Sequence, residues 1–80
     1  MRISEVVALR IRQILKQRKM TQYRLEQLSG VSHNTMINLL NARYKAANMR
    51  TVFIIINSLG ITIKDFFDDP LFDFDDMNID

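Results

Sequence analysis

The sequence predicts an all-α fold of five short helices. Apolar residues recur at three- and four-residue intervals in residues 4–19, 21–29, 32–40 and 48–59, which is the period of an amphipathic helix. The strand-like run VFIII at residues 52–56 would have no partner strand elsewhere in the chain. Because 80 residues form one domain rather than two, we expect a single small helical domain.

The first predicted helix covers residues 4–19. Val7, Ile11 and Ile14 mark its inward face, and Ser4 is the expected N-cap with Glu5 in the first turn. Positive charge gathers at its C-terminal end, which favours either a solvated helix end or a contact with phosphate.

The second predicted helix is capped by Thr21 and runs to residue 29, with Leu25 and Leu28 inward. Gly30 stands where the chain must turn, and we expect a positive φ there. Two helices joined by a short turn containing Gly are the signature of the DNA-binding helix-turn-helix.

The third predicted helix, from Ser32 to residue 40, has two distinct faces. Its inward residues are Met36, Leu39 and Leu40, whereas Asn34, Asn38 and Asn41 recur on the opposite face. Three Asn on one stripe are either a polar solvent face, with Asn41 as a C-terminal cap, or contacts to DNA, since Asn binds the N6/N7 edge of adenine. If the Asn residues contact bases in the major groove of DNA, His33 at the tip of the helix would point into that groove too.

Residues 41–47, NARYKAA, form a polar and basic loop. Arg43, Tyr44 and Lys45 follow the third helix directly, so they are candidates for contact with the phosphate backbone. The alternative is a solvated loop.

The fourth predicted helix begins at the cap Asn48 and ends before Gly60. Its inward stripe leaves Phe53 and Ile54 outside; the expected inward residues are Met49, Val52, Ile55, Ile56 and Leu59. Exposed apolar residues often mark an interface, so Phe53, Ile54 and the later Phe67 are candidate homodimer contacts, with additional core packing as the alternative.

A fifth helix is predicted from the cap Thr62 to Phe67, with Phe66 closing the core. We divide the chain into a helix-turn-helix domain at residues 1–69 and an acidic-aromatic tail at residues 70–80. The tail is expected either to be disordered or to dock on its own body or a dimer partner through its apolar residues Leu71, Phe72 and Phe74.

The charge is strongly divided along the chain. All eleven Lys and Arg lie in residues 1–64 against two acidic residues, a formal charge of +9. Residues 65–80 carry seven Asp and no base, a formal charge of −7. A basic body indicates a polyanionic partner, and the acidic end indicates a separate role for the tail.

Composition argues against several other classes of protein. The chain has no Cys, so it has no thiolate metal site, and we expect no metal or cofactor. Glu5 and Arg10 interrupt any apolar run near the start, unlike a signal peptide, and the longest apolar run is far below the roughly 20 residues of a membrane span. We expect a cytoplasmic protein without membrane contact.

At this point the chain resembles the Cro/CI-type, lambda-repressor-like helix-turn-helix family of phages and bacterial mobile elements. The resemblance covers about residues 7–67 and includes the ending LGITIKDFF. Its specific spacing is Thr21-Gln22, Leu25, Gly30-Val31-Ser32, Met36 and Leu39-Leu40-Asn41.

The resemblance implies roles for individual residues. Gln22 matches a Gln that contacts phosphate and supports the recognition helix, which is the third predicted helix of this chain. The positions implied to reach base edges are Ser32, His33, Asn34 and Asn38, and those implied to contact the backbone are Asn41, Arg43 and Lys45, to which we add Thr21 and Tyr44. A homodimer facing two half-sites about 34 Å apart is the usual arrangement of this motif.

Three positions depart from the family pattern. Glu26 stands where the family usually has Ala between the two motif helices, so its carboxylate must escape sideways or find a partner such as Arg24 or an Asn. Ala42 and Ala47 replace the common Gly and Pro of the loop, which leaves the loop geometry open.

The leading functional hypothesis is a sequence-specific transcriptional regulator, most simply a repressor, that binds a palindromic operator in double-stranded DNA as a homodimer. Because the central reading positions include neither Arg nor Lys, we expect adenine-thymine steps in each half-site. The alternative is an antitoxin-like or regulatory interaction module whose acidic tail binds a protein partner or masks the DNA-binding face. An enzyme is not expected, since the chain has one His, no Cys and no Gly-rich phosphate loop.

Overall fold

A computed structural model describes residues 1–43 and 48–78 of the chain. Within these residues the predicted all-α fold is confirmed, with a single 3-10 turn at Phe74–Asp76 in the tail. The five α-helices are α1 (Ile3–Arg18), α2 (Gln22–Ser29), α3 (His33–Leu40), α4 (Met49–Ser58) and α5 (Ile63–Phe67).

One apolar cluster receives side chains from all five helices. Helix α1 packs against α3, and α2 packs against both α3 and α4. The central residues are fully enclosed and come one from each helix: Ile11, Leu25, Met36, Ile55 and Phe66. This shared core holds α2 and α3 in a fixed relation, which positions the outer face of α3.

Four of the predicted helix caps are confirmed. Each cap accepts a hydrogen bond at 3.0–3.2 Å from the backbone N–H three residues later. Such a cap satisfies one of the N–H groups that have no partner inside the helix. The four residues are Thr21, Ser32, Asn48 and Thr62.

The predicted cap of the first helix was wrong. Helix α1 begins at Ile3 with Arg2 as N-cap, and Ser4 is a buried helical residue, 3% exposed, whose hydroxyl has no hydrogen-bond partner among the described residues. Glu5 takes over the capping, because its Oε1 accepts from the Arg2 backbone N–H at 2.9 Å and from Arg2 Nε at 3.2 Å. The N-cap of α1 therefore lies two residues before the predicted one, with Glu5 bonded back to it.

Two residues expected to face inward are exposed. Leu28 is 42% exposed, because α2 has only two turns and buries Leu25 alone before the chain turns at Gly30. Met49 is 58% exposed, because it is the first residue of α4 and the buried stripe starts one turn later at Val52.

The described part of the tail docks on its own body, one of the possibilities left open by the sequence. The ring of Phe72 lies edge-on to Phe67, with centroids 4.9 Å apart, and 6.0 Å from Phe66. The Met1 ammonium donates to the carbonyl oxygen of Asp76 at 2.7 Å, and the Asn78 N–H donates to the Met1 carbonyl at 2.6 Å. The expected docking role of Phe74 was wrong in part, since this ring is 77% exposed. The division at residue 69 stays a prediction.

We expect Phe72→Ala to lower the free energy of unfolding by about 1–3 kcal/mol, less than a fully buried Phe because the ring is only partly enclosed. The matched control is Phe74→Ala, two residues away and mostly exposed, for which we expect a change within about 0.5 kcal/mol. Urea unfolding of the full chain measures both. Equal effects of the two substitutions would contradict the docked position of Phe72.

The loop after α3 keeps a left-handed turn without the Gly of the family pattern. Ala42 has φ 50°, a conformation that residues other than Gly, Asn and Asp seldom adopt. Two hydrogen bonds hold it there: its N–H donates to the Leu39 carbonyl at 3.1 Å, and its carbonyl accepts from Arg2 Nη2 at 2.9 Å. The other Ala in question, Ala47, lies outside the described residues.

We therefore expect Ala42→Gly to raise the free energy of unfolding by about 0.5 kcal/mol, since relief of the left-handed strain exceeds the extra freedom of Gly in the unfolded chain. Thermal and urea unfolding measure this change. Ala8→Gly, inside α1, is the control and should lower stability by at least about 1 kcal/mol. A loss of stability in Ala42→Gly would show that the turn is not strained.

Candidate nucleic-acid interface

Helices α2 and α3 are joined by a turn at residues 30–32. Gly30 has φ 73°, as expected, and its N–H donates to the Glu26 carbonyl at 2.9 Å, which closes α2. The side chain of Ser32 then caps α3. Because Met36, Leu39 and Leu40 are buried, the opposite side of α3 is turned away from the core.

The first residues of α3 form an exposed polar surface, the recognition face, composed of Ser32, His33, Asn34 and Thr35. Asn34 has no side-chain hydrogen bond to any described residue, so its amide is available to a ligand. The Ser32 hydroxyl is already engaged, because it accepts from the Thr35 N–H at 3.2 Å and donates to Thr35 Oγ1 at 2.9 Å. Asn34 is therefore better suited than Ser32 to read a base.

Asn38 lies one turn further along α3 and is half-buried. Its Oδ1 accepts from Arg43 Nη1 at 3.4 Å, and its carbonyl accepts from the Arg43 N–H at 3.0 Å. To contact a base, the Asn38 side chain would have to replace its hydrogen bond from Arg43 with one to the base. The predicted phosphate contacts Tyr44 and Lys45 lie outside the described residues.

Arg12 of α1 holds the C-terminal end of α3, a contact that the sequence did not indicate. Its Nε donates to the Leu40 carbonyl at 3.2 Å and its Nη2 to Asn41 Oδ1 at 3.3 Å. A cation at this end of a helix interacts favourably with the helix dipole. Asn41 is the C-cap of α3, and it is exposed beside this guanidinium.

Glu26 connects α2 to the tip of α3. Its side chain is only 11% exposed, and its Oε2 accepts from Gln22 Nε2 at 3.0 Å and lies 2.9 Å from His33 Nδ1. The expected partners, Arg24 or an Asn, were wrong, because the carboxylate turns toward the start of α3 instead. The bonds from Gln22 and then His33 favour the ionised carboxylate, so they hold the pKa of Glu26 below its ordinary value.

A second basic residue near the turn was also missed. Arg50, in the first turn of α4, is exposed and lines a groove with Ser32 and Thr35 of the recognition face. Residues 29–31 also line this groove. The fold thus places positive charge beside the start of α3, although 18 positions separate Arg50 from Ser32 in the sequence.

The candidate dimer residues have different surroundings. Phe53 is 41% exposed on α4. Ile54 lines the groove beside the α2–α3 turn, whereas Phe67 lines an apolar cavity with Val7 and the tail ring Phe74. Their role in a dimer stays a prediction.

Together, the Gly turn, the two capped helices and the outward face of α3 define a helix-turn-helix DNA-binding domain. Residues 10–70 match the family model of the Cro/C1-type HTH DNA-binding domain, and the chain belongs to that family. This membership indicates a DNA-binding transcriptional regulator. Searches of curated proteins and of solved structures gave no significant match.

Within residues 1–43 and 48–78, no helix is long and apolar enough to cross a membrane. The same residues contain no group of three His, Cys, Asp or Glu side chains that could hold a metal ion.

The lowered pKa of Glu26 has a consequence for stability in acid. Because the pKa is lower in the folded chain than in the unfolded chain, the contribution is complete above the ordinary pKa of Glu and is lost as the pH falls through the lowered value. We expect the stability advantage of the natural chain over Glu26→Gln to shrink across that acidic range. Urea unfolding at a series of pH values measures it, and subtracting the two chains cancels the other carboxylates. An advantage that stays constant with pH would contradict the bonds to the ionised carboxylate.

Proposed function

We propose that this protein is a sequence-specific repressor of transcription that inserts α3 into the major groove of a palindromic operator. The observation that carries the proposal is the two-sided character of α3. One side is buried in the core, while His33, Asn34 and Thr35 are exposed at the end from which helix-turn-helix proteins contact bases.

Affinity in this proposal comes from the flanks of α3. Three guanidinium groups surround the helix: Arg12 and Arg43 at its C-terminal end and Arg50 at its start. Helix α3 itself, HNTMINLL, has neither Lys nor Arg. Phosphate contacts by the flanking residues, together with Thr21, Gln22 and Asn41, would fix the register of the helix and make binding weaken steeply with salt.

Specificity in this proposal depends first on Asn34. An Asn amide can bond bidentately to N6 and N7 of adenine, and no bond within the described chain has to be broken for Asn34 to do so. Asn38 would make a second contact after exchanging its bond to Arg43. Ser32 would contribute least, because its hydroxyl caps the helix.

A homodimer is part of the proposal, because one small motif presents few base contacts and a palindromic site doubles them. Phe53 is the best candidate for the contact, being an exposed aromatic ring on α4. Ile54 and Phe67 are weaker candidates, since both are half-buried within their own chain. We place the dimer in the cytoplasm with the DNA.

The alternative function gives the acidic tail the main role. Phe74 is exposed among Asp73, Asp75 and Asp76, which would suit a basic protein partner. Masking of the DNA-binding face is less well supported, because the tail contacts described above are with Met1, Phe66 and Phe67 rather than with the recognition face.

Selection of binding sites from random double-stranded DNA tests the proposed function. We expect palindromic sites with an adenine at a fixed position of each half-site. Asn34→Ala should weaken binding about tenfold and relax the preference at that position, because it removes one bidentate base contact. The matched control is Asn57→Ala, an exposed Asn on α4, which should leave both affinity and preference unchanged. Recovery of no preferred sequence, or of half-sites read only at guanines, would overturn the proposal.

A further inference from the structure

The chain contains a single His, and among the described residues its ring is held by Glu26. The His33 side chain is 69% exposed, and its Nδ1 lies 2.9 Å from Oε2 and 3.2 Å from Oε1 of Glu26. Glu26 is 11% exposed and receives a further hydrogen bond from Gln22. The carboxylate is thus fixed on α2, while most of the ring projects from the tip of α3.

The chemistry of this contact determines which ring nitrogen carries the proton. An ionised carboxylate can only accept hydrogen bonds, so Nδ1 must donate. In the neutral ring, the other nitrogen, Nε2, is then without a proton and can only accept. Since Nδ1 is turned toward Glu26, Nε2 lies on the outer part of the exposed ring.

We propose that Glu26 is a positioning residue that makes His33 a hydrogen-bond acceptor toward DNA. Neutral His33 then selects a base that offers an exocyclic amine in the major groove, the N6 of adenine or the N4 of cytosine. Guanine and thymine present only acceptors there, so they leave Nε2 without a donor. This inference rests on the proposed function, because it names what the same recognition face reads.

Glu26 would act without touching DNA. Its carboxylate is nearly covered, and among the described residues its hydrogen bonds come from Gln22 and His33. In a variant with Ala at position 26, no carboxylate would hold Nδ1, and the ring could carry its proton on either nitrogen. The carboxylate of Glu26 is therefore the source of the predicted specificity.

The first test determines which ring nitrogen of His33 carries the proton, in the full chain without DNA. Nitrogen NMR of the one His identifies the protonated nitrogen, at a pH of about 8 where a His ring is ordinarily neutral. We expect the natural chain to hold the proton on Nδ1 and Glu26→Ala to shift it toward Nε2. Glu26→Gln keeps an oxygen acceptor and should restore the Nδ1 form in part. The control Gln27→Ala, on the same helix but bonded to Tyr23, should not change the ring.

The second test compares DNA preferences of the natural chain and Glu26→Ala. We expect one position per half-site to favour adenine or cytosine, and the preference there to fall about fivefold in Glu26→Ala while the other positions are retained. Asn34→Ala should alter a different position and leave the ring proton on Nδ1. Circular dichroism confirms that each variant is folded.

The two tests separate the failure of the inference from that of the proposed function. A natural chain with the proton on Nε2 overturns the inference, whatever the chain binds. A chain with the proton on Nδ1 that selects DNA but shows no amine preference lost in Glu26→Ala also overturns it. A chain with the proton on Nδ1 that selects no DNA sequence overturns the proposed function, and the base-reading role of His33 falls with it.

Discussion

The orientation of α3 depends on the burial of its inner face. Met36, Leu39 and Leu40 are 0%, 9% and 3% exposed, and they share one core with residues of every other helix. A rotation of α3 about its axis would bring these side chains into water and bury the amides of the opposite side without partners, which costs several kcal/mol. Hydrophobic packing thus determines which side chains of α3 face outward.

Polar contacts also hold the two ends of α3. At the start, Glu26 reaches from α2 to His33. At the end, Arg12 reaches from α1 to the Leu40 carbonyl, and Arg2 holds the strained turn at Ala42. Glu26 belongs to α2, Arg12 belongs to α1, and Arg2 is the N-cap of α1. Helix α3 is therefore restrained at both ends by side chains from other helices. A helix of eight residues has little stability of its own and depends on such contacts.

Local signals in the sequence were sufficient for most of the fold. The caps Thr21, Ser32, Asn48 and Thr62 were predictable because a cap and the N–H that it satisfies lie three residues apart. The buried stripes followed from helical spacing. Helical periodicity does not show how far along a helix its packing partners extend, however. For this reason Leu28 and Met49 were predicted to face inward although both are exposed.

The contacts that shape the candidate site were less accessible to sequence reasoning. Glu26 and His33 are seven residues apart across a turn, and Arg12 and Asn41 are 29 apart. Such pairs depend on how two helices cross, which helical spacing does not determine. The departure at Glu26 was visible in the sequence, but the His33 ring that donates to its carboxylate was not. Ala42 shows the same limit, because a bond from Arg2, 40 positions away, helps to hold a turn for which the family pattern has Gly.

The contacts of Glu26 also reduce the exposure of its negative charge beside α3. A carboxylate beside a DNA-binding helix would repel phosphates, and residues 1–64 otherwise carry a strong excess of positive charge. In this chain the carboxylate is nearly covered, and its oxygens face two hydrogen-bond donors, Gln22 and His33. Exposed guanidinium groups on the flanks, such as Arg50 and Arg43, are therefore nearer to solvent than this negative charge. Under the proposed function, the charged residues around α3 would supply affinity, while the uncharged amides and the fixed ring on α3 would supply discrimination between bases.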